Sequence, residues 1–426
     1  MRVVYSLALT LGITLASPIL AARMARGRYR EIALARLGLG KNWLPQARPG
    51  GVWLHALSVG EVKSALPLLS ALAERLPGMP RYLSVATAQG LAVAADSLDG
   101  HAGASLFVRP LDLPWAVRRL LDRLRPSLFC LVEGDIWPNW QWGLGARGVP
   151  RLLVNGRVSP RTYRGYRRLG PLARALWDGF DRVLVQTRVD YERLLQVGVP
   201  AERLAVGGNL KFDSAPAKLS QAERDALAAE LGLQGRKALV AGSSHAGEEE
   251  PCLEAYGSLK DSYPDLALVI APREVARGEA VAQMARAQGL SVARVSQGAV
   301  PQGSQVVVLD VLGRLAQAYA LASASFVGGS LVPVGGHNLL EPAAQGVPVV
   351  FGPITHNFLE MAKELEAAGG GVRINKGREL AEVWGGLLRE PYRAKDMGQA
   401  GLEFCRSHRG ALNRALHEAE VLLGKA

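Results

Sequence analysis

An α/β architecture of two doubly wound lobes, preceded by an apolar helix, follows from three features of the 426-residue sequence. The length exceeds what one hydrophobic core usually organises. Short β-rich runs alternate with amphipathic stretches twice over, first across residues 52–206 and again across residues 238–374. That alternation marks parallel strands joined by crossover helices. Ahead of both lies a nearly unbroken apolar run, residues 3–22.

The apolar run has about the length needed to cross a bilayer as a helix. Arg23, Arg26, Arg28 and Arg30 follow it, whereas only Arg2 precedes it. A cleaved signal peptide carries its charge on the other side, so residues 1–22 are expected to remain as a membrane anchor. The arginine-rich flank then keeps everything after Arg23 in the cytoplasm. Pro18 and the small residues weaken a span, and a shallow interfacial helix is the alternative.

The first lobe, residues 23–212, has expected strands at 52–57, 81–86, 105–108, 128–132, 151–154, 182–185 and 204–206. Helical spacing of apolar residues marks 62–76 and 115–124 between them. A polar stretch with Pro216 leads into a charged helix at 221–231 and is the best boundary, so the second lobe is expected at 213–426 with its last helix available to pack back on the first. Its strands are expected at 238–241, 266–270, 292–295, 306–309, 325–327, 347–350 and 372–374. Two open sheets of this kind imply a cleft, with ligands beyond the carboxyl ends of the strands.

Lys and Arg outnumber Asp and Glu by 50 to 38, a net charge of +12. Nucleic acid, acidic lipid headgroups and phosphorylated substrates are all eligible partners of such a surface. Cys130, Cys252 and Cys405 lie far apart in no metal-ligand spacing, which speaks against a disulfide framework and fits a reducing cytosol. No histidine falls in a zinc-site pattern, and no nucleophile elbow, Walker loop or dinucleotide-binding glycine triplet occurs.

Several runs have the composition of ligand-facing loops. Ser58-Val59-Gly60-Glu61 stands where the first strand turns into the first helix; Ser58 and Glu61 have capping-box spacing, and the helix dipole is expected to lower the Glu61 pKa. The residues alone favour a cap over a general base. Glu133-Gly134-Asp135-Ile136-Trp137-Pro138-Asn139 ends the fourth strand, with Asp135 as a helix cap and Glu133 as a site carboxylate about equally weighted. Lys211, in Gly208-Asn209-Leu210-Lys211-Phe212-Asp213, is either a solvated lysine or a hinge cation meeting phosphate or carboxylate oxygens.

In the second lobe, Gly242-Ser243-Ser244-His245-Ala246-Gly247-Glu248 reads as an anion-binding turn into a helix, and Pro272-Arg273 offers a guanidinium at a strand end. Gly328-Gly329-Ser330 through Gly335-Gly336-His337-Asn338-Leu339-Leu340-Glu341-Pro342 is a glycine-rich loop opening a helix near Asn338. Its backbone amides suit a phosphate, and Glu341 suits ribose hydroxyls.

Read in order, these runs resemble the bacterial Kdo transferases, which join 3-deoxy-D-manno-octulosonic acid (Kdo) to the lipid A precursor. The match spans nearly the whole chain and includes Asn155-Gly156-Arg157-Val158-Ser159. The resemblance implies a GT-B fold, a CMP-Kdo donor, inverting transfer to lipid IVA at the cytoplasmic face of the inner membrane, and no cofactor or catalytic metal. It implies Glu61 as base, with Glu133 and Lys211 stabilising the transition state. The CMP segments it implies are Pro272-Arg273, Leu312-Gly313-Arg314, and Gly336 to Glu341. A lipid acceptor and a sugar nucleotide, not nucleic acid, become the expected partners, with Arg157, Arg161, Arg164, Arg167 and Arg168 near the acceptor.

Two departures stand out. Arg314 occupies a position where the family pattern is acidic, which removes a carboxylate contact to the nucleotide. Glu133-Gly134-Asp135 replaces a Glu-Thr-Glu element and shortens the second carboxylate. A membrane-associated GT-B enzyme using a UDP-sugar, and a basic membrane-tethered binding protein, are the alternatives.

Overall fold

The computed structural model describes residues 2–24, 28–39, 43–44, 47–98 and 103–425. They form two compact units, Met1–Ser214 with Arg409–Ala426, and Ala215–His408. The first crossing falls two residues beyond the expected boundary because the turn Leu210–Asp213 is tied to the first unit.

In the first unit, β1 (Val52–Ala56), β2 (Arg81–Val85), β3 (Ala104–Val108), β4 (Leu128–Val132), β5 (Arg151–Gly156), β6 (Arg182–Val185) and β7 (Leu204–Val206) form one sheet in the order β3-β2-β1-β4-β5-β6-β7. Every neighbouring pair is parallel. Helices cover both faces, so β1 and β4 are buried throughout their length instead of alternating. Successive residues still serve opposite faces. Trp53 stacks with Phe129 and Trp140 on one side, at centroid distances of 4.5 and 4.7 Å, while Leu54 joins Val62, Leu68 and Leu69 on the other.

That second face is completed from the far end of the sequence. Ala411, Ala415, Leu416 and Ala419 of the helix Ala411–Leu422 belong to the same buried cluster. The Asp213 carboxylate accepts the Gly410 and Leu412 N–H groups at 2.7 and 3.1 Å, and Arg182 pairs with Glu418 at 2.9 Å.

In the second unit, β8 (Lys237–Ser244), β9 (Leu266–Pro272), β10 (Val292–Arg294), β11 (Val306–Val308), β12 (Ala322–Val327), β13 (Val349–Phe351) and β14 (Gly371–Arg373) are ordered β10-β11-β9-β8-β12-β13-β14, again parallel. Every expected strand forms. β8 runs on through Gly242-Ser243-Ser244, which composition marks as a turn, because as a central strand it pairs on both sides. The excursion survives as a register shift between Gly242 and Ser244, with Ser243 at φ 54°.

The apolar amino-terminal run folds as the helix Arg2–Met24. Among the described residues no helix is long and apolar enough to cross a membrane. One side of this helix docks on the first unit. The Tyr5 hydroxyl donates to Asp112 Oδ2 (3.0 Å), the Ser6 hydroxyl donates to Asn139 Oδ1 (2.9 Å), and the Tyr5 ring meets Trp142 edge-on. The other side carries Val3, Val4, Leu7, Leu11 and Leu15, each 60–72% exposed. Arg26 lies outside the described residues, as do the side chains of Pro18, Arg23, Arg28 and Arg30.

Candidate active site

The strand order of the first unit reverses between β1 and β4, where open α/β sheets hold their ligands. Glu61 follows β1 and Glu133 follows β4, so the two carboxylates flank the reversal.

Glu61 sits in the first turn of the helix Val59–Arg75, whose N-cap Ser58 accepts the Glu61 N–H at 3.4 Å. The Glu61 carboxylate in turn accepts the Leu57 N–H at 2.6 Å and the Ser58 hydroxyl at 3.3 Å. The cap therefore forms. The expected lowering of its pKa does not follow, because the residue is only 7% exposed. Burial pushes it up to about 8 against the pull of the Leu57 N–H, helped by the charges of Glu133 and Asp135. A carboxyl so placed is matched to proton transfer near neutral pH.

Burial also raises the Glu133 carboxyl, while Lys211, Arg157 and an Asn155 hydrogen bond oppose the rise. Glu133 adopts φ 67°, and Asn155, one residue before the end of the adjacent strand, adopts φ 58°, two non-glycine residues in the left-handed region. Lys211 reaches this group from the turn Leu210–Asp213, whose N-cap Asn209 accepts the Lys211 N–H at 3.0 Å.

Asp135 faces inward instead of capping a helix. His55 Nε2 lies 3.3 Å from its Oδ2, Arg109 Nη1 lies 3.8 Å away, and Arg109 stacks on Trp137 at 4.3 Å. Burial works to raise the Asp135 carboxyl, but the His55 bond and the Arg109 charge outweigh it and hold it below its ordinary value. Burial pushes the His55 ring down. Its Nε2 faces Asp135, and its Nδ1 lies 2.9 Å from the Ser84 hydroxyl and 3.0 Å from the Ser84 carbonyl oxygen. The cap of the next helix falls to Asp112, which accepts the Asn139 and Trp140 N–H groups at 3.0 Å each.

The helix Pro160–Leu169 buries no side chain and carries Arg161, Arg164, Arg167 and Arg168 on the surface of the first unit. Such a cluster attracts phosphates without fixing their position.

In the second unit the order reverses at β8, and the loops after β8 and β12 meet. His245 and His337 stack in parallel with Nε2 atoms 2.8 Å apart, one ring donating to the other. Arg273 lies exposed beside them, its N–H bonded to Ser244 O at 2.9 Å. Pro272 forms the buried floor of that strand end. Leu312 is 84% exposed and Gly313 takes φ 79° in the loop after β11.

Two expectations change here. The amides that open the glycine-rich loop do not await a phosphate: the buried Glu248 carboxylate accepts the N–H groups of Gly329 (2.7 Å), Ser330 (3.0 Å) and Leu331 (2.9 Å), and that of His245 (3.0 Å). The following helix begins at Leu340, and the Asn338 side chain takes the Leu340 N–H at 3.2 Å. Leu339 and Leu340 are core residues. Gly336, at φ 81°, closes the loop by donating to Gly329 O, and Glu341 accepts the Asn338 amide at 3.3 Å. Arg314 pairs with Glu230, so the departure noted in sequence is absorbed by a local ion pair.

Asn155 and His55 were assigned no role of their own from sequence, and His245 and Glu248 only a place in an anion-binding turn. Asn155 carried one signal, an Asn-Gly pair at a strand end, which favours left-handed backbone.

A family model described as 3-Deoxy-D-manno-octulosonic-acid transferase (kdotransferase) matches residues 31–214. The chain is 36% identical over 411 residues to a 3-deoxy-D-manno-octulosonic acid transferase of Bordetella pertussis, covering 95% of this chain and 94% of that one. It is 32% identical over 394 residues to the protein of that name in Haemophilus influenzae, covering 91% of each. In fold alone it is similar to a UDP-GlcNAc 2-epimerase from Neisseria meningitidis, at TM-score 0.58 and 13% identity, covering 88% of this chain and 100% of that one.

Proposed function

The chain belongs to the family of 3-deoxy-D-manno-octulosonic acid transferases, and from that membership we propose that it transfers Kdo from CMP-Kdo to a lipid A precursor such as lipid IVA, inverting the anomeric centre. The observation that carries the chemistry is the pair of carboxyls, buried Glu61 and half-buried Glu133, that follow the two strands flanking the sheet reversal. Glu61 takes the proton of the acceptor hydroxyl as its oxygen bonds to the anomeric carbon. The bond from that carbon to the CMP phosphate breaks, and CMP leaves with the electron pair. Glu133 and Lys211 face positive charge developing on the sugar and negative charge developing on the leaving group.

The donor belongs to the second unit in this proposal. Arg273, after β9, and the loop bearing His337 and Asn338, after β12, follow the strands on either side of β8 and suit the nucleotide phosphate, with Glu341 for the ribose. Side-chain cations meet the leaving-group charge, so no metal is required of the reaction. Attachment to the cytoplasmic face of the inner membrane rests on the exposed side of the helix Arg2–Met24, which lies along the interface with Leu7, Leu11 and Leu15 in the lipid. The surface arginines of Pro160–Leu169 then hold the acceptor phosphates.

Mass spectrometry of the product formed from CMP-Kdo and lipid IVA tests the assignment. An acceptor heavier by one or more Kdo residues, and a melting temperature raised by CMP but not UDP, are expected. A shift with UDP alone and no Kdo adduct would move the chain to a UDP-sugar enzyme.

A further inference from the structure

Resting on the transferase assignment above, we infer that Asn155 is a positioning residue whose one side-chain amide holds Glu133 and the lysine-bearing turn in register, and so fixes where both groups act.

Asn155 lies one residue before the end of β5 and is 2% exposed. The β5–β6 ladder shifts register between Leu153 and Gly156, where Asn155 takes its left-handed backbone. Its Nδ2 donates to Glu133 Oε1 at 3.4 Å, and its Oδ1 accepts the Leu210 N–H at 3.0 Å. Its backbone carbonyl accepts Gln186 Nε2 at 3.0 Å; Gln186 Oε1 accepts Asn209 Nδ2 at 3.2 Å, and Asn209 receives the Lys211 N–H. The chain of bonds thus runs from one candidate catalytic side chain to the residue bearing the other.

The amide has one workable orientation. Turned over, it would set an oxygen against a carboxylate and an NH2 against an N–H, losing both bonds. Glu133 and Asn155 are two of the four non-glycine residues with positive φ among those described, and they meet in this bond. Backbone of that kind persists where surrounding contacts hold it, and it clusters at functional sites. The donated N–H also favours the ionised Glu133 carboxylate, countering its burial.

Two substitutions separate positioning from packing. Asn155→Asp keeps the size and the acceptor for Leu210 but turns the donor facing Glu133 into an acceptor. Asn155→Gly suits the backbone and removes both side-chain bonds. Kdo transfer is measured for each against the parent from pH 5.5 to 8.5, with melting in the presence of CMP as the check of folding. Both variants should melt cooperatively and keep the CMP shift. Both should lose roughly 10- to 100-fold in kcat at neutral pH, the effect of one hydrogen bond to a charged group. The rate of Asn155→Asp relative to the parent should climb about tenfold as the pH falls and the introduced carboxyl gains the proton it needs to donate. Asn155→Gly, having nothing to protonate, should show a flat ratio. Parental activity in either variant, a flat ratio for Asn155→Asp, or loss of the melting transition in both overturns the inference. A parent that makes no Kdo adduct overturns the transferase assignment, and this inference with it.

Discussion

Glutamine at position 61 preserves the cap and removes the base. Its amide oxygen can take the Leu57 N–H that Glu61 accepts at 2.6 Å, and its NH2 can face the Ser58 hydroxyl. Burial raises the Glu61 pKa from 4.5 to about 8. The folded protein therefore holds this proton more tightly than the unfolded chain. The stability so gained is fully present below about pH 4.5 and is lost as the pH rises towards 8. The full shift corresponds to roughly 5 kcal/mol, an upper limit for a site that retains some solvent. Glu61→Gln cannot ionise, so it should gain stability relative to the parent across that window, by up to this amount at its alkaline end. Denaturant unfolding of both proteins between pH 5 and 9 reads the difference. Turnover should fall about two to four decades, and the rise in parental kcat/KM as the carboxylate forms near pH 8 should vanish. A stability difference that stays flat with pH refutes the buried, raised carboxyl. Turnover above about a tenth of parental refutes the base and leaves Glu61 a helix cap.

Other changes read different parts of the molecule. Arg273→Ala should weaken use of the CMP donor by roughly one to two decades while leaving acceptor KM in place, as steady-state kinetics with each substrate varied would show. Glu248→Ala leaves four N–H groups, those of buried Gly329 and Ser330 among them, without their shared carboxylate and should cost about 3–5 kcal/mol of folding stability, together with the CMP melting shift. Leu7→Glu with Leu11→Glu should cut sedimentation with lipid vesicles at least about tenfold, because two apolar side chains no longer enter the interface, while the CMP shift stays parental.

The sheets were legible because their strands are covered on both faces and read as unbroken apolar runs such as Leu128–Val132. Placement of Glu61 and Glu133 was legible for a related reason: Glu133 follows such a run directly, and Glu61 opens the helix that follows β1. What the sequence concealed were partnerships made across the sheet. Nothing local to Glu248 indicates that its carboxylate will occupy amides some eighty residues away, so the glycine loop after β12 read as an open phosphate site. Asp135 read as a cap because it precedes Pro138, but His55 and Arg109, distant in sequence, turn it inward. The sign of the Glu61 shift was missed because a helix dipole is visible in sequence and a desolvated pocket is not.

The carboxylate of Asp213 has a use that reaches past local geometry. It grips Gly410, so the chain leaves the first unit at Ser214 and rejoins it at Arg409 with both ends anchored by one side chain. The second unit is in this sense a guest spliced into a host whose own seam is already shut. A short bridge from Ser214 to Arg409 would excise the guest without stretching the host, because Asp213 already defines the width of the gap. Termini held this close are what make domain exchange tolerable in other proteins. The same architecture would let a foreign nucleotide-binding module be grafted at that seam.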